Sequence, residues 1–256
     1  MSGKLRELIS WELQDNWAFP ILEIVIAITI IQVMSIISFQ RGLNDIAVPF
    51  FGSMVFVIVI SVAIVFGRSF GEGIEKRKLV VLLSYPASRT KVFAAKYLAN
   101  LLATFLIFGS VLFAEGLSMY MFDGLLPLGV WGFMFVYLFM AVFFASSLIT
   151  IISIAVKRFG LSILIFLIYV LGLEYWLAPE RGNVGTNNPL AYLSLNLGPY
   201  GLVNYSYTWY YNTLNIGRQF TGITQTMFLT ALCYFMIGGL VLFLASLFLM
   251  NKIDLD

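Results

Sequence analysis

The sequence predicts an all-α, polytopic membrane protein: six transmembrane helices in a single domain over residues 1–256, preceded by an amphipathic helix in the membrane interface. Three observations predict it. Hydrophobic residues make up 61% of the chain and charged residues 11%, with a mean hydropathy of +0.94; soluble domains run near ~45–50% and ~25%. Six stretches reach the roughly 20 apolar residues that cross a bilayer. Lys and Arg are divided very unequally among the segments that join those stretches.

Composition also narrows the chemistry. A net charge of +2 gives no reason to expect nucleic acid as a partner. One cysteine (Cys233) and no histidine exclude a disulfide framework and most transition-metal sites. The commonest general acid/base is missing as well.

In chain order, residues 1–19 place Leu5, Leu8, Ile9, Leu13 and Trp17 at helical spacing, with Lys4, Arg6, Glu7, Glu12, Gln14 and Asp15 between them. That pattern predicts an amphipathic helix lying in the interface, with Trp11 and Trp17 near headgroup depth. Pro20 suits the first turn of the helix that follows. The spans are expected over Ile21–Phe39, Val48–Gly67, Tyr97–Gly116, Leu128–Val156, Phe159–Leu177 and Met227–Met250. The fourth is long enough to tilt, and Lys157-Arg158 forms a tight turn between it and the fifth.

With the N-terminus inside, twelve Lys and Arg fall on the cytoplasmic side and three (Arg41, Arg181, Arg218) outside. The bias predicts both termini in the cytoplasm of a cell-membrane protein. Outer segments 40–47 and 117–127 are short, whereas 178–226 is long and rich in Asn and Tyr, with Pro179, Pro189 and Pro199. A segment of that length is expected to be structured or functional, as a cap on the outer interface. Asn204-Tyr205-Ser206 is a glycosylation sequon on the outer side.

Ionisable groups in spans are candidate functional groups. Glu23, Glu115 and Glu174 all lie near an interface, where snorkelling or capping competes with a role on a substrate path. Small residues such as Ser146, Ser147, Gly238 and Gly239 point to close helix packing. No inverted internal repeat of the kind that marks many secondary transporters is present.

The central segment 68–96 is the informative one. It carries seven of the fifteen basic residues: Arg68, Lys76, Arg77, Lys78, Arg89, Lys91 and Lys96. Glu72 to Leu83 reads as a short amphipathic helix ended by Pro86, since residues before proline avoid helical angles. Ser88 is an N-cap candidate for a helix that runs into the third span. The expected unit is a rigid helix–turn–helix knob below the membrane; an interfacial loop whose lysines meet anionic lipid is the alternative. No phosphate-binding Gly-x-x-x-x-Gly-Lys-Ser/Thr loop occurs, so nucleotide chemistry would require another chain.

The residues Glu72, Leu79, Leu82, Leu83, Pro86, Ser88, Arg89 and Lys96 resemble the signature of ABC-2 type transporter permeases. That signature carries a glutamate, a Gly-Thr-Leu step, a Leu-Leu pair, Pro-x-Ser-Arg, and a lysine seven residues after the arginine. This chain departs from it at Arg77-Lys78, where Gly-Thr is usual, and Glu75 is an alternative for the glutamate. The resemblance covers about thirty residues, and the six spans, interfacial helix and long last outer segment suit the same family.

The resemblance implies the permease subunit of an ABC exporter, without catalytic activity or cofactor of its own. Two copies of a separate ATPase subunit would bind ATP and Mg, and a second permease copy would complete the complex. Leu79, Leu82 and Leu83 would fill a groove on the ATPase, with Glu72, Glu75 and Arg89 at its rim. Rival readings are a membrane assembly factor of the same architecture, acting through the 178–226 segment, and an ion-coupled secondary transporter.

Overall fold

The computed structural model of the chain describes residues 2–16, 58–83, 88–123, 128–174, 176 and 225–252. The described residues are all helical or in turns, with no strand. The expected first span and nearly all of the 178–226 segment lie outside them, as does Pro86.

Helix α1 is Ser2–Asn16. Helix α2 is helical over 58–66, passes into a π-helical stretch at Gly67–Glu72, and closes with an α-turn at Gly73–Glu75. A short α3 follows at Lys78–Leu83. The long helices are α4, Arg89–Asp123, and α5, Leu128–Val156. Helix α6, Phe159–Leu167, continues as a π-helical stretch over Ile168–Glu174, and α7 is Gln225–Lys252.

Three of these helices contain segments long and apolar enough to cross a membrane: Arg89–Ser110, Leu138–Val156 and Leu229–Lys252. A shorter apolar helix spans Phe159–Val170. Helix α4 shows why such a sequence packs. Its buried positions are Val92, Phe93, Ala95, Lys96, Tyr97, Ala99, Asn100, Ala103, Thr104, Ile107 and Phe108, a stripe at helical period. Leu98, Leu102 and Leu106 lie on the opposite face and are exposed. An apolar outer face is what a helix presents to lipid or to another membrane helix. In α7 only 17% of the apolar segment is buried within the chain, so most of that helix is turned outward.

The core sits where α2, α4, α5 and α7 meet. Phe66, Phe70, Phe93, Tyr97 and Phe243 form an aromatic cluster across α2, α4 and α7, with neighbouring ring centroids 4.7 to 6.5 Å apart. Helices α5 and α7 pack through a glycine notch. A Cβ on Gly239 would stand 2.7 Å from the Phe143 ring, and Gly238 faces Phe144. Phe144 in turn meets Phe235 edge-on, at 5.1 Å between centroids. Helices α2 and α6 approach in the same manner, since a Cβ on Gly71 would be 3.0 Å from the Phe159 backbone.

One expectation changes in detail. Helix α2 does not end at Gly67 but runs on to Glu75, and the segment Glu72–Leu83 is not one helix. It breaks at Lys76-Arg77, where Arg77 adopts a left-handed backbone with φ 56°. Its N–H donates to the Ile74 carbonyl oxygen at 3.0 Å. A left-handed residue is a common way to stop a helix, and glycine is its usual occupant. Lys157, with φ 59°, occupies the same conformation after α5.

Two substitutions test this packing through thermal unfolding of the purified protein in detergent. Arg77→Gly, which relieves the left-handed strain, should stabilise by up to about 1 kcal/mol. Gly71→Ala, which presses α2 off the start of α6, should destabilise by about 1–3 kcal/mol.

Candidate functional site

The basic segment 68–96 folds back under the bundle, and its charged side chains reach other parts of the chain. Lys96, on the second turn of α4, is buried and needs a counter-charge there. Glu12 of α1 supplies it, accepting from Lys96 Nζ at 2.7 Å on Oε1 and 2.8 Å on Oε2. The two side chains are 8% and 5% exposed. Leu8 and Leu13 of α1 pack against the core on the same side, while Trp11 remains 54% exposed.

Two further contacts tie this segment to helix ends. Glu75 Oε2 accepts the backbone N–H of Phe159 at 2.9 Å, which places a carboxylate at the positive end of α6. Arg89 Nη1 donates to the carbonyl oxygen of Asn251 at 3.2 Å, which places a cation at the negative end of α7. The segment is thereby joined to α1, α6 and α7. The N-terminal helix, the 157–158 turn and the end of α7 lie at one end of the bundle.

Glu72 organises the segment itself. Lys76 Nζ donates to its Oε1 at 2.7 Å, Arg68 Nε stands 3.4 Å from Oε2, and Lys78 Nζ is 3.9 Å from Oε1. The Lys76 hydrogen bond holds the Glu72 carboxyl below its ordinary value of 4.5. Burial opposes that shift, and the charges of Lys76, Arg68 and Lys78 reinforce it.

Above this layer the bundle holds polar groups. Tyr97 Oη lies 3.0 Å from Ser146 Oγ and 2.8 Å from Ser147 Oγ, linking α4 to α5. Thr104, Thr150 and Ser246 each donate to the carbonyl oxygen four residues back. Such bonds satisfy hydroxyls inside an apolar bundle.

The residues expected to form a partner site are distributed as follows. Glu72, Glu75, Arg89 and Lys96 are all engaged inside the chain. Leu79 and Leu82 are also directed inward, at 0% and 7% exposure, as part of the core. In this chain they pack against the bundle core. The outward side of α3 instead presents Val81, 63% exposed, beside Lys78. Ser88 is exposed and precedes α4, with its carbonyl oxygen accepting from the Lys91 and Val92 N–H groups. The side chains of Leu83, Glu115 and Glu174 lie outside the described residues.

Glu12 is the site residue that sequence reasoning placed on the polar face. Its position held a signal: residue 12 is four after Leu8 and seven after Leu5, in phase with the apolar stripe rather than opposite it. A carboxylate there requires a buried partner.

Compared with models of known protein families the chain matches none, and none of the curated proteins matches it.

The ion pair gives a direct test. Lys96→Met strands Glu12 and should destabilise by about 3–5 kcal/mol, whereas the double variant Glu12→Leu with Lys96→Met should recover most of that loss. A double-mutant cycle on thermal unfolding measures the difference. The Glu72 cluster predicts a pH dependence. Because its native pKa is lowered, its stabilisation is present above 4.5 and is lost as the pH falls through the native value. Glu72→Gln should lower stability at neutral pH by about 0.5–1 kcal/mol and flatten the acid limb of a stability–pH profile.

Proposed function

We propose that this chain is the permease subunit of an ABC-2 type exporter, with six spans and both termini in the cytoplasm, driven by a separate ATPase. The observation that carries the reading is the mechanical connection of segment 68–96. A loop that received motion from a partner would transmit it only if fixed to the spans. This segment is fixed by Lys96–Glu12, Glu75–Phe159 and Arg89–Asn251.

The left-handed Arg77 supports the same reading. It stands where the family signature has glycine, at a backbone angle that favours glycine. The inward Leu79 and Leu82 then hold the knob together. Val81, Lys76 and Lys78, all exposed, form the face that would meet the ATPase.

In this mechanism ATP and Mg stay on the ATPase, and the permease contributes no catalytic group. Closure of two ATPases would push both knobs, and each push would pass into α1, α6 and α7. The exposed apolar faces of α4 and α7 are suited to lipid and to a second permease copy. Rocking of the two copies would open the path alternately to either side, with export as the direction.

The test is a pull-down of the tagged chain from its native membrane in mild detergent. An ATPase should co-purify at one copy per permease. Val81→Asp should weaken its retention by about tenfold, as loss of an interface anchor does, with the unfolding midpoint unchanged. Recovery of an intact permease dimer without any ATPase would contradict the proposal.

A further inference from the structure

Two basic turns lie side by side at one end of the bundle. One is Lys76-Arg77, between α2 and α3; the other is Lys157-Arg158, between α5 and α6. Two contacts bring them together. Glu75, the last residue of α2, accepts the Phe159 N–H at 2.9 Å. One turn back, a Cβ on Gly71 would stand 3.0 Å from the Phe159 Cα, so the α2 backbone runs against the start of α6.

Each turn places a long cation where the backbone favours glycine. Arg77 has φ 56° and Lys157 has φ 59°. Arg77, Lys157 and Arg158 are all exposed, and their side chains make no hydrogen bond or ion pair among the described residues. The nearby carboxylates are engaged elsewhere: Glu72 faces Arg68, Lys76 and Lys78, and Glu75 is bonded to the Phe159 N–H. Even with the Glu75 charge set against the three cations, the paired turns keep a positive excess.

The surroundings specify the anion. Lys157-Arg158 follows Leu138–Val156, a segment long and apolar enough to cross a membrane, and precedes the apolar helix Phe159–Val170. A turn so placed sits where hydrocarbon gives way to water, whichever side of the bilayer it faces. From it an exposed apolar stripe runs along α6 and its continuation: Leu161, Leu164, Ile165 and Ile168, at helical spacing. Cations at the head of an apolar stripe complement a molecule with an anionic head and a hydrocarbon tail. An acidic protein segment would match the cations and leave the stripe unused.

We propose that the paired turns and the α6 stripe form a discrete site for an anionic phospholipid. Arg77, Lys157 and Arg158 take the phosphodiester, and an acyl chain lies along Leu161, Leu164, Ile165 and Ile168. A guanidinium matches two phosphate oxygens at once. A zwitterionic lipid binds less well because its ammonium meets the same positive excess. Glu75 is a positioning residue, which holds the first turn against the second. The site requires the apolar helices to lie in a bilayer, and it depends neither on the transport reading nor on the orientation of the chain.

The full-length chain in a nonionic detergent is titrated with dioleoyl phosphatidylglycerol or dioleoyl phosphatidylcholine, and bound lipids are counted by native mass spectrometry. The first phosphatidylglycerol should bind about tenfold more tightly than phosphatidylcholine, and Lys157→Gln with Arg158→Gln should remove that preference. Arg77→Gln should weaken phosphatidylglycerol by about fivefold, as loss of one cation at an anionic surface does. Lys91→Gln, an exposed cation of α4 outside both turns, should leave it unchanged. Glu75 separates a built site from diffuse charge. Glu75→Ala removes a negative charge together with the tether, and should weaken binding by about fivefold. Glu75→Gln removes the charge but keeps an oxygen for the Phe159 N–H, and should not weaken it. Tighter binding by Glu75→Ala, an effect of Lys91→Gln as large as that of Arg77→Gln, or equal affinity for the two lipids would overturn the proposal. Displacement of the lipid by a stoichiometric hexaglutamate peptide would overturn it too, and would assign the turns to an acidic protein segment.

Discussion

A lysine on the apolar side of a membrane helix must bring its counter-charge with it, and the structure is arranged around that requirement. Lys96 lies on the buried face of α4, beside Phe93 and Tyr97 in the aromatic cluster. Water is a poor competitor there, and removal of either partner leaves an uncompensated charge. The carboxylate that pairs with it is Glu12, so α1 is held against α4. The amphipathic helix is thereby made part of the bundle.

The same logic extends across that end of the molecule. Glu75 and Arg89 use helix ends rather than side chains as partners, a carboxylate on a helix start and a guanidinium on a helix finish. Each such contact is worth only about 0.3–1 kcal/mol when exposed. Their value is geometric, because they join elements far apart in sequence. Apolar packing supplies the stiffness. Glycines at 71 and 239 let backbones approach, and the Phe66–Phe70–Phe93–Tyr97–Phe243 cluster fills the space between α2, α4 and α7. A knob carried on such a base moves with the helices it touches.

Much of this was legible in the residues. The fourth expected span coincides with α5, and the sixth lies within α7, because long apolar runs bounded by charge leave little freedom for a helix to end elsewhere. The third lies within α4, which starts eight residues earlier, at Arg89, and ends seven later. Other features were not legible. Helix α2 overruns Gly67 because glycines there serve contact with α6 rather than termination, and composition does not distinguish those uses. Leu79 and Leu82 read from the sequence as docking residues, and their burial within this chain comes from the way the fold turns α3. Glu12 was concealed by its chemistry: in a helix read as interfacial, a carboxylate in phase with leucines looks like part of the wet face.

The central claim is that the basic segment and α1 form one body with the spans. It is tested most directly by a pulsed electron spin resonance distance measurement. Spin labels would replace the exposed Ser10 of α1 and Val81 of α3, in a background where the exposed free cysteine is removed by Cys233→Ser. The account predicts a single narrow distance distribution that broadens when Glu12→Gln loosens the hold on Lys96. A broad distribution in the otherwise native chain, unchanged by Glu12→Gln, would contradict it.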